Sequence, residues 1–253
     1  MTADEYLQSV LSKYYVNTSS SSTACQVAQK IPTLIKEWHK GYLNEIKFSG
    51  SYAKGTAIKG NTDVDLFISL KSSTPAPLKE IYDTLFNFLY RKLLNPQKRN
   101  ASINLVLDST SIDLIPAKQQ EGYQNYHSIW LNRQNTWNQT NVDMHINQVV
   151  QSGRLDEIKL TKIWRKIHGL EFPSFYLELV VIDALKGKLK NQLADNFWSV
   201  LVYLRDNFKN VKFEDPSNTN NIISEDLKDY EKQLIANEAS NSRLQKRWES
   251  IIW

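Results

Sequence analysis

Asp63 and Asp65 lie two residues apart at the head of an apolar run, Leu66-Phe67-Ile68. In a strand, positions i and i+2 point to one face. Two carboxylates on one face repel each other, and a divalent cation between them relieves the repulsion. Mg²⁺ suits such a site, because it takes a few carboxylates plus waters and phosphate oxygens. Two ions about 3.5–4 Å apart would clamp the attacking and leaving oxygens of a phosphoryl transfer. A third ligand is then needed. Asp113, in Ser111-Ile112-Asp113-Leu114-Ile115-Pro116, is an acid inside a second apolar run, costly to bury unless paired or metal-bound. Asp108 competes for the role, but its place in Asp108-Ser109-Thr110-Ser111 is that of a turn residue. Upstream, Gly50 lets backbone approach a ligand closely and Ser51 offers an N–H and a hydroxyl to phosphate. Lys54 adds a cation.

These residues need strands to carry the acids and a turn to carry Gly50 and Ser51. Residues 45–49 and 64–70 read as strands with turn residues between them. Residues 103–107 and 112–115 read as two more strands around a tight polar connection. Residues 77–94 carry an amphipathic stripe of Leu78, Ile81, Tyr82, Leu85, Phe86 and Leu89. Ahead of them stand an expected helix over 3–15 and a second over 24–43, which Pro32 must start or kink. From about residue 143 the periodicity is helical: 149–168, 174–188, 192–207 and 225 to the end, with the polar stretch 215–221 before the last helix. The predicted organisation is a mixed α+β lobe over 1–142, N-terminal helices included, and a helical lobe over 143–253.

Composition sets outer bounds. The 253 residues are 41% hydrophobic and 23% charged, ordinary for a chain with a real core. No apolar run approaches the roughly 18 residues of a membrane span. The N-terminus, MTADEYLQSV, lacks the basic-then-apolar order of a secretory signal. A single cysteine, Cys25, excludes an internal disulfide and a cysteine-built metal site. The four histidines show no metal-ligand spacing. These features predict a cytoplasmic protein with no membrane partner. A net charge of +4 is compatible with an anionic substrate and too small to require a stable nucleic-acid partner.

Gly50-Ser51, then Asp63-Val64-Asp65, then Ile112-Asp113-Leu114-Ile115-Pro116 resemble the motif set of the DNA polymerase β-type nucleotidyltransferase superfamily. The longer string from Gly50 to Thr56 is similar to two of its branches. One holds oligoadenylate synthetases, cyclic GMP–AMP synthase and bacterial cyclic-oligonucleotide synthases of anti-phage defence. The other holds archaeal-type CCA-adding tRNA enzymes. The resemblance implies a mixed palm sheet, a helical second lobe, two Mg²⁺ ions with Mn²⁺ as a substitute, and transfer of a nucleoside monophosphate from an NTP to a hydroxyl. ATP is the first expected substrate. Asp63, Asp65 and Asp113 are then the metal ligands, and Asp113 also the group that helps deprotonate the attacking hydroxyl.

The helical half adds matches of its own. Lys159, Lys162 and Lys166 share a face beside an apolar stripe of Leu160, Ile163, Trp164 and Ile167. By spacing alone this is a basic face in solvent. The resemblance instead places a lysine of this helix, Lys162 by match with Lys159 near it, on the donor triphosphate. In Pro173-Ser174-Phe175-Tyr176-Leu177-Glu178 it places Ser174 on phosphate and Phe175 on the donor base, where local rules read a helix start and core aromatics. The stretch at 215–221 reads as structural. The chain is short for a CCA-adding enzyme and has no cysteine/histidine zinc insertion of the animal DNA-sensing type. Both departures point to synthesis of a short or cyclic oligonucleotide, with an activator unidentified. The alternatives are nucleotide addition to an RNA 3′ end, nucleotidylation of a protein, or a non-catalytic nucleotide-binding role.

Overall fold

A computed structural model describes residues 1–39, 41–60 and 63–253. In chain order its elements are α1 (Ala3–Lys13), α2 (Thr23–Ala28), α3 (Ile31–Trp38), β1 (Leu43–Phe48), α4 (Gly50–Lys54), β2 (Val64–Leu70), α5 (Leu78–Arg91), β3 (Gln97–Lys98), β4 (Ile103–Leu107), β5 (Thr110–Gln120), β6 (Tyr123–Leu131) and β7 (Thr136–Thr140). They continue with α6 (Val142–Ser152), α7 (Leu155–Ile167), α8 (Ser174–Ala184), α9 (Leu193–Asp206), β8 (Glu214–Asp215), β9 (Asn218–Ile222) and α10 (Asp229–Leu244). The fold is α+β, as the sequence predicts.

The chain divides into two compact units that interleave along the sequence. The sheet unit takes residues 17–55 and 61–146; the helical unit takes 1–16, 56–60 and 147–253. This differs from the expected division into 1–142 and 143–253. The reason is burial: Leu7 and Val10 of α1, and Ile58 after α4, belong to the same core as α7 to α10.

In the sheet unit the strand order is β1-β2-β5-β4-β3. Strand β2 pairs antiparallel with β1 and parallel with β5. A strand paired on both sides reads as continuous apolar sequence, and β2 is buried at every position except Asp65. Strand β5 is 11 residues long, enough to pair with β4 over its first half and β6 over its second. Asp108 and Ser109 close the β4–β5 hairpin with φ of 46° and 61°, the left-handed values of a two-residue hairpin turn. The stripe on α5 is buried at Ile81, Tyr82, Leu85 and Leu89. The expected second helix is two, α2 and α3, with Pro32 in the first turn of α3, where its missing N–H costs nothing. Lys40, near the end of that expected helix, lies outside the described residues. Strands β6 and β7 were not signalled by pattern: Tyr126, His127 and Ser128 do not alternate polar with apolar.

In the helical unit Thr2 and Glu5 form a reciprocal capping box on α1. Gly153, at φ +66°, separates α6 from α7 within the span expected to be one helix. Trp164, Tyr176, Phe197 and Phe208 are fully buried in this core, and the Trp164 indole N–H donates to Ser242 Oγ at 2.9 Å. Residues 215–221 form the short β8–β9 hairpin.

Candidate active site

The sheet unit carries six of the predicted residues: Gly50, Ser51, Lys54, Asp63, Asp65 and Asp113. Asp65 on β2 and Asp113 on β5 are direct partners in the parallel register. Paired residues of adjacent strands share a face and stand roughly 4.8 Å apart along the hydrogen-bonding direction. Register pairing, which sequence spacing cannot reveal, is therefore what brings these two acids together. Asp63 lies one residue before β2 and is exposed, so it approaches as a loop residue rather than as the strand neighbour expected from its i, i+2 spacing.

The electrostatics follow from this placement. Burial pushes the Asp65 carboxyl up to about 7; Asp113 and Asp63 push the same way, while Lys54 and the Ser51 amide N–H pull it down. Burial likewise raises Asp113, against a hydrogen bond from Asn104; Asp63 adds to the rise, and Arg99 and Ser102 oppose it. Asn104 Nδ2 donates to Asp113 Oδ1 at 2.9 Å and also to Ser111 Oγ at 2.9 Å. Two acids held side by side at this cost would be relieved by a cation between them.

Gly50 is fixed by two independent constraints. Its φ is +57°, and a Cβ there would fall on the Asp65 carboxylate, 2.9 Å from the Asp65 Cβ. Gly50 opens helix α4, which carries Ser51 in its first turn, not the open turn expected. Lys54, its last residue, is buried, with 8% of its surface exposed.

All the donors of the acidic trio are oxygens, which fits a hard divalent ion such as Mg²⁺. Among the described residues no three His, Cys, Asp or Glu side chains are closed into a metal-holding cluster. Asp63, Asp65 and Asp113 are therefore not drawn together into such a cluster in this structure.

The helical unit carries the other four. Lys162 is 2% exposed, and its Nζ donates to Glu178 Oε1 at 2.7 Å and to Thr56 Oγ1 at 2.8 Å. Lys159 pairs with Asp156 at 2.8 Å on the rim of a cavity of about 420 Å³ that Asp4, Lys190 and Asn191 also line. Lys166 donates to the Lys59 carbonyl at 2.7 Å. The three lysines are therefore not one solvated face, because Ile158, Thr161 and Lys162 are all buried on α7. Ser174 opens α8 and accepts from Arg165 Nη1 at 3.1 Å; Arg165 also donates to the Phe172 carbonyl. Phe175 packs half-buried against the helical core.

Sequence reasoning passed over Asn104, Arg99, Thr56, Arg165 and Glu178. Asn104 left a signal, a polar residue in the apolar run Ile103 to Leu107. Glu178 left one too, a lone acid in Leu177 to Ile182.

Residues 1–152 match the family model of the Second Messenger Oligonucleotide or Dinucleotide Synthetase domain. Among curated proteins, a cyclic AMP-AMP-AMP synthase of Escherichia coli (strain MS 115-1) is 22% identical over 162 residues, 58% of this chain and 50% of the relative. The match thus spans half of that relative's length. Among solved structures, E. coli MS115-1 CdnC in complex with HORMA-deltaN superposes with a TM-score of 0.75 at 17% identity, covering 94% of this chain and 88% of that one. Bradyrhizobium diazoefficiens CdnG in complex with GTP gives 0.76 at 12%, covering 98% and 94%. Elizabethkingia meningoseptica CdnE cyclic dinucleotide synthase gives 0.74 at 13%, covering 95% and 98%. At these identities the structural likeness speaks for the fold. The family match takes in more than half of the 253 residues, and the chain belongs to the Second Messenger Oligonucleotide or Dinucleotide Synthetase family.

Proposed function

We propose that this chain is a nucleotidyltransferase that joins NTPs into a short or cyclic oligonucleotide second messenger of the anti-phage signalling type, with release of pyrophosphate. The observation that carries the proposal is the pairing of Asp65 with Asp113 in adjacent parallel strands, with Gly50 at the start of α4 packed so close to Asp65 that a Cβ would collide with its carboxylate. Asp63, Asp65 and Asp113 would hold Mg²⁺, two ions on the family's pattern, which would neutralise charge on the transferring phosphate. Ser51 offers its hydroxyl to the donor triphosphate while its N–H holds Asp65. Asp113, raised by burial and steadied by Asn104, accepts the proton of the attacking hydroxyl. Ser174 is the candidate phosphate contact of the helical unit and Phe175 the candidate base-stacking ring. Catalysis is then mostly positioning and charge neutralisation.

ATP is proposed among the substrates, because the curated relative is a cyclic AMP-AMP-AMP synthase and CdnC was also solved with ATP. A protein regulator is proposed on the strength of the CdnC complex with HORMA-deltaN. The protein is proposed to work in the cytoplasm. Among the described residues no helix is long and apolar enough to cross a membrane.

The test is product analysis. Purified protein is incubated with all four NTPs and Mg²⁺ or Mn²⁺, treated with phosphatase and read by mass spectrometry. Phosphatase-resistant small products are expected, and no radiolabel on added tRNA. Labelling of a tRNA 3′ end without any small product would replace this reading with RNA tailing.

A further inference from the structure

Residues 99–102 form the turn between β3 and β4, within the sheet unit. The turn is held from three directions. The Arg99 N–H donates to the Ser102 carbonyl at 2.9 Å. The hydroxyl of Tyr82, a fully buried residue of α5, donates to the Arg99 carbonyl at 2.7 Å and to the Ser102 carbonyl at 3.1 Å. From the β6–β7 turn, the Asn132 N–H donates to the Asn100 carbonyl at 2.8 Å and the Arg133 N–H to Asn100 Oδ1 at 3.0 Å.

Two cations stand at the start of this turn and are used differently. Lys98 Nζ pairs with Asp83 and lies over the Phe86 and Tyr82 rings, 5.0 and 5.6 Å from their centroids. Arg99 is exposed, and among the described residues its guanidinium makes no hydrogen bond or ion pair. Its charge acts on the Asp113 carboxyl all the same, as the Ser102 hydroxyl does. Asp113 Oδ1 is already taken by Asn104, the register partner of Asp113 on β4. A rigid backbone thus presents a free guanidinium to solvent beside the carboxylate proposed to take the proton of the attacking hydroxyl.

Strand order decides which phosphate such a group can meet. In the order β1-β2-β5-β4-β3, Ser51 follows β1 and Arg99 follows β3, with the acid-bearing strands β2 and β5 between them. Four strand spacings, roughly 19 Å, separate β1 from β3, and two, roughly 10 Å, separate β3 from β5. A donor triphosphate seated on Ser51 lies on the far side of the acids from Arg99. The nucleotide that turns its hydroxyl to Asp113 lies on the near side, and its own phosphate is one sugar away from that hydroxyl.

We propose that Arg99 is a phosphate ligand for the acceptor nucleotide: the guanidinium on the β3–β4 turn takes the phosphate of the nucleotide whose hydroxyl faces Asp113. The planar fork of arginine matches two phosphate oxygens at once, and a turn fixed beforehand loses little freedom on binding. The proposal deepens the synthase reading and rests on it for the identity of the phosphate. That Arg99 binds a phosphate at all can be tested without any product.

The experiment uses the full chain as wild type, Arg99→Met and Arg99→Lys. ATP with Mg²⁺ is the donor, and labelled AMP or labelled adenosine the acceptor. Wild type should use AMP with a KM about 10- to 100-fold below that for adenosine, the scale of a charge-assisted hydrogen bond. In Arg99→Met the preference should vanish through a higher KM for AMP, with kcat affected much less, and Arg99→Lys should restore part of it. Independently, modification of Arg99 by phenylglyoxal in wild type, read by peptide mass spectrometry, should be slowed by AMP and not by adenosine. A preference for AMP that persists in Arg99→Met would overturn the proposal. So would an equal loss with both acceptors, which would mean that Arg99 acts through Asp113 alone, and so would modification of Arg99 that AMP does not slow. If wild-type protein makes no product from any NTP, the synthase reading fails while the protection of Arg99 by AMP still decides the phosphate site.

Discussion

Asp65 is the residue on which the site's chemistry and its instability meet. Its neighbours Asp113 and Asp63 and its own burial all disfavour the ionised form, yet a metal ligand must be ionised. Asp65→Asn should therefore abolish turnover by orders of magnitude while leaving stability in EDTA at pH 8 unchanged or higher; near-normal activity would sink the catalytic assignment. The pH dependence has a definite sign. An aspartate ionises near 3.9 in an unfolded chain and near 7 here, so the folded state binds more protons between those values. Its stabilising contribution is complete below pH ~4 and lost as pH rises through about 7. In metal-free protein the melting temperature of wild type, relative to Asp65→Asn, should fall across that window by at least about 2–4 °C, the shift that 1 kcal/mol makes in a chain of this size. Added Mg²⁺ should reverse the fall above pH 7. Parallel curves for the two proteins, with and without Mg²⁺, would show that Asp65 is neither strained nor a ligand. Gly50 is the second informative residue. Gly50→Ala has to leave the left-handed region, at about 1–2 kcal/mol, and push into Asp65 as well, so activity should be lost even where the protein folds, as circular dichroism would show.

At the scale of elements, the strands that carry the acids were legible in part, because their apolar runs are short and bounded by turns. Residues 64–70 match β2 at both ends, whereas 112–115 caught only the middle of β5. What was illegible was pairing. Nothing in the one-dimensional pattern puts Asp65 opposite Asp113, and only the register of two strands 48 positions apart does so. Spacing alone is a poor guide to helix α7 for a related reason. Three lysines at helical spacing look solvated, but a buried acid on α8 and a threonine 106 positions upstream of Lys162 draw that lysine inward. Arg154, before α7, is another buried cation with a readable purpose. It donates to Glu157 and to the carbonyls of Leu185, Lys188 and Leu189, tying the end of α8 to the start of α7. Arg154→Met should leave Glu157 buried with Asn196 as its one remaining side-chain hydrogen-bond donor among the described residues. The expected loss is about 3–5 kcal/mol, the cost of stranding a buried charge, read as a lower urea midpoint. A double variant Arg154→Met/Glu157→Gln should recover part of it. A midpoint unchanged from wild type would mean the pair is worth nothing.

On the scale of the whole molecule, two units and two halves of a sequence turned out to be different divisions. Composition shifts near residue 143 from strands to helices, and that shift is real, but a unit is defined by which side chains share a core. Helix α1 lies at the far end of the chain from α9 and α10 and still puts Leu7 and Val10 into their core, 0% and 3% exposed. Its polar groups are tied to the same unit: Asp4 Oδ1 accepts from the Ala194 N–H at 2.7 Å, and the Tyr6 hydroxyl donates to the Ile252 carbonyl at 2.8 Å. Removing residues 1–16 exposes the cavities left by two large aliphatic side chains, worth about 1.5–3 kcal/mol each, and frees the first turn of α9 from its acidic cap. That sum, about 3–6 kcal/mol before the cap is counted, reaches the lower end of the stability of an ordinary domain, about 5–15 kcal/mol. The shortened chain is therefore expected to lose cooperative unfolding in the helical unit while the sheet unit, to which 1–16 does not belong, keeps its exchange protection over β2 and β5. Hydrogen exchange resolved by segment separates the two. Equal protection of α7 to α10 with and without residues 1–16 would mean that α1 only decorates the helical core and that a contiguous division at residue 143 describes the folding units after all.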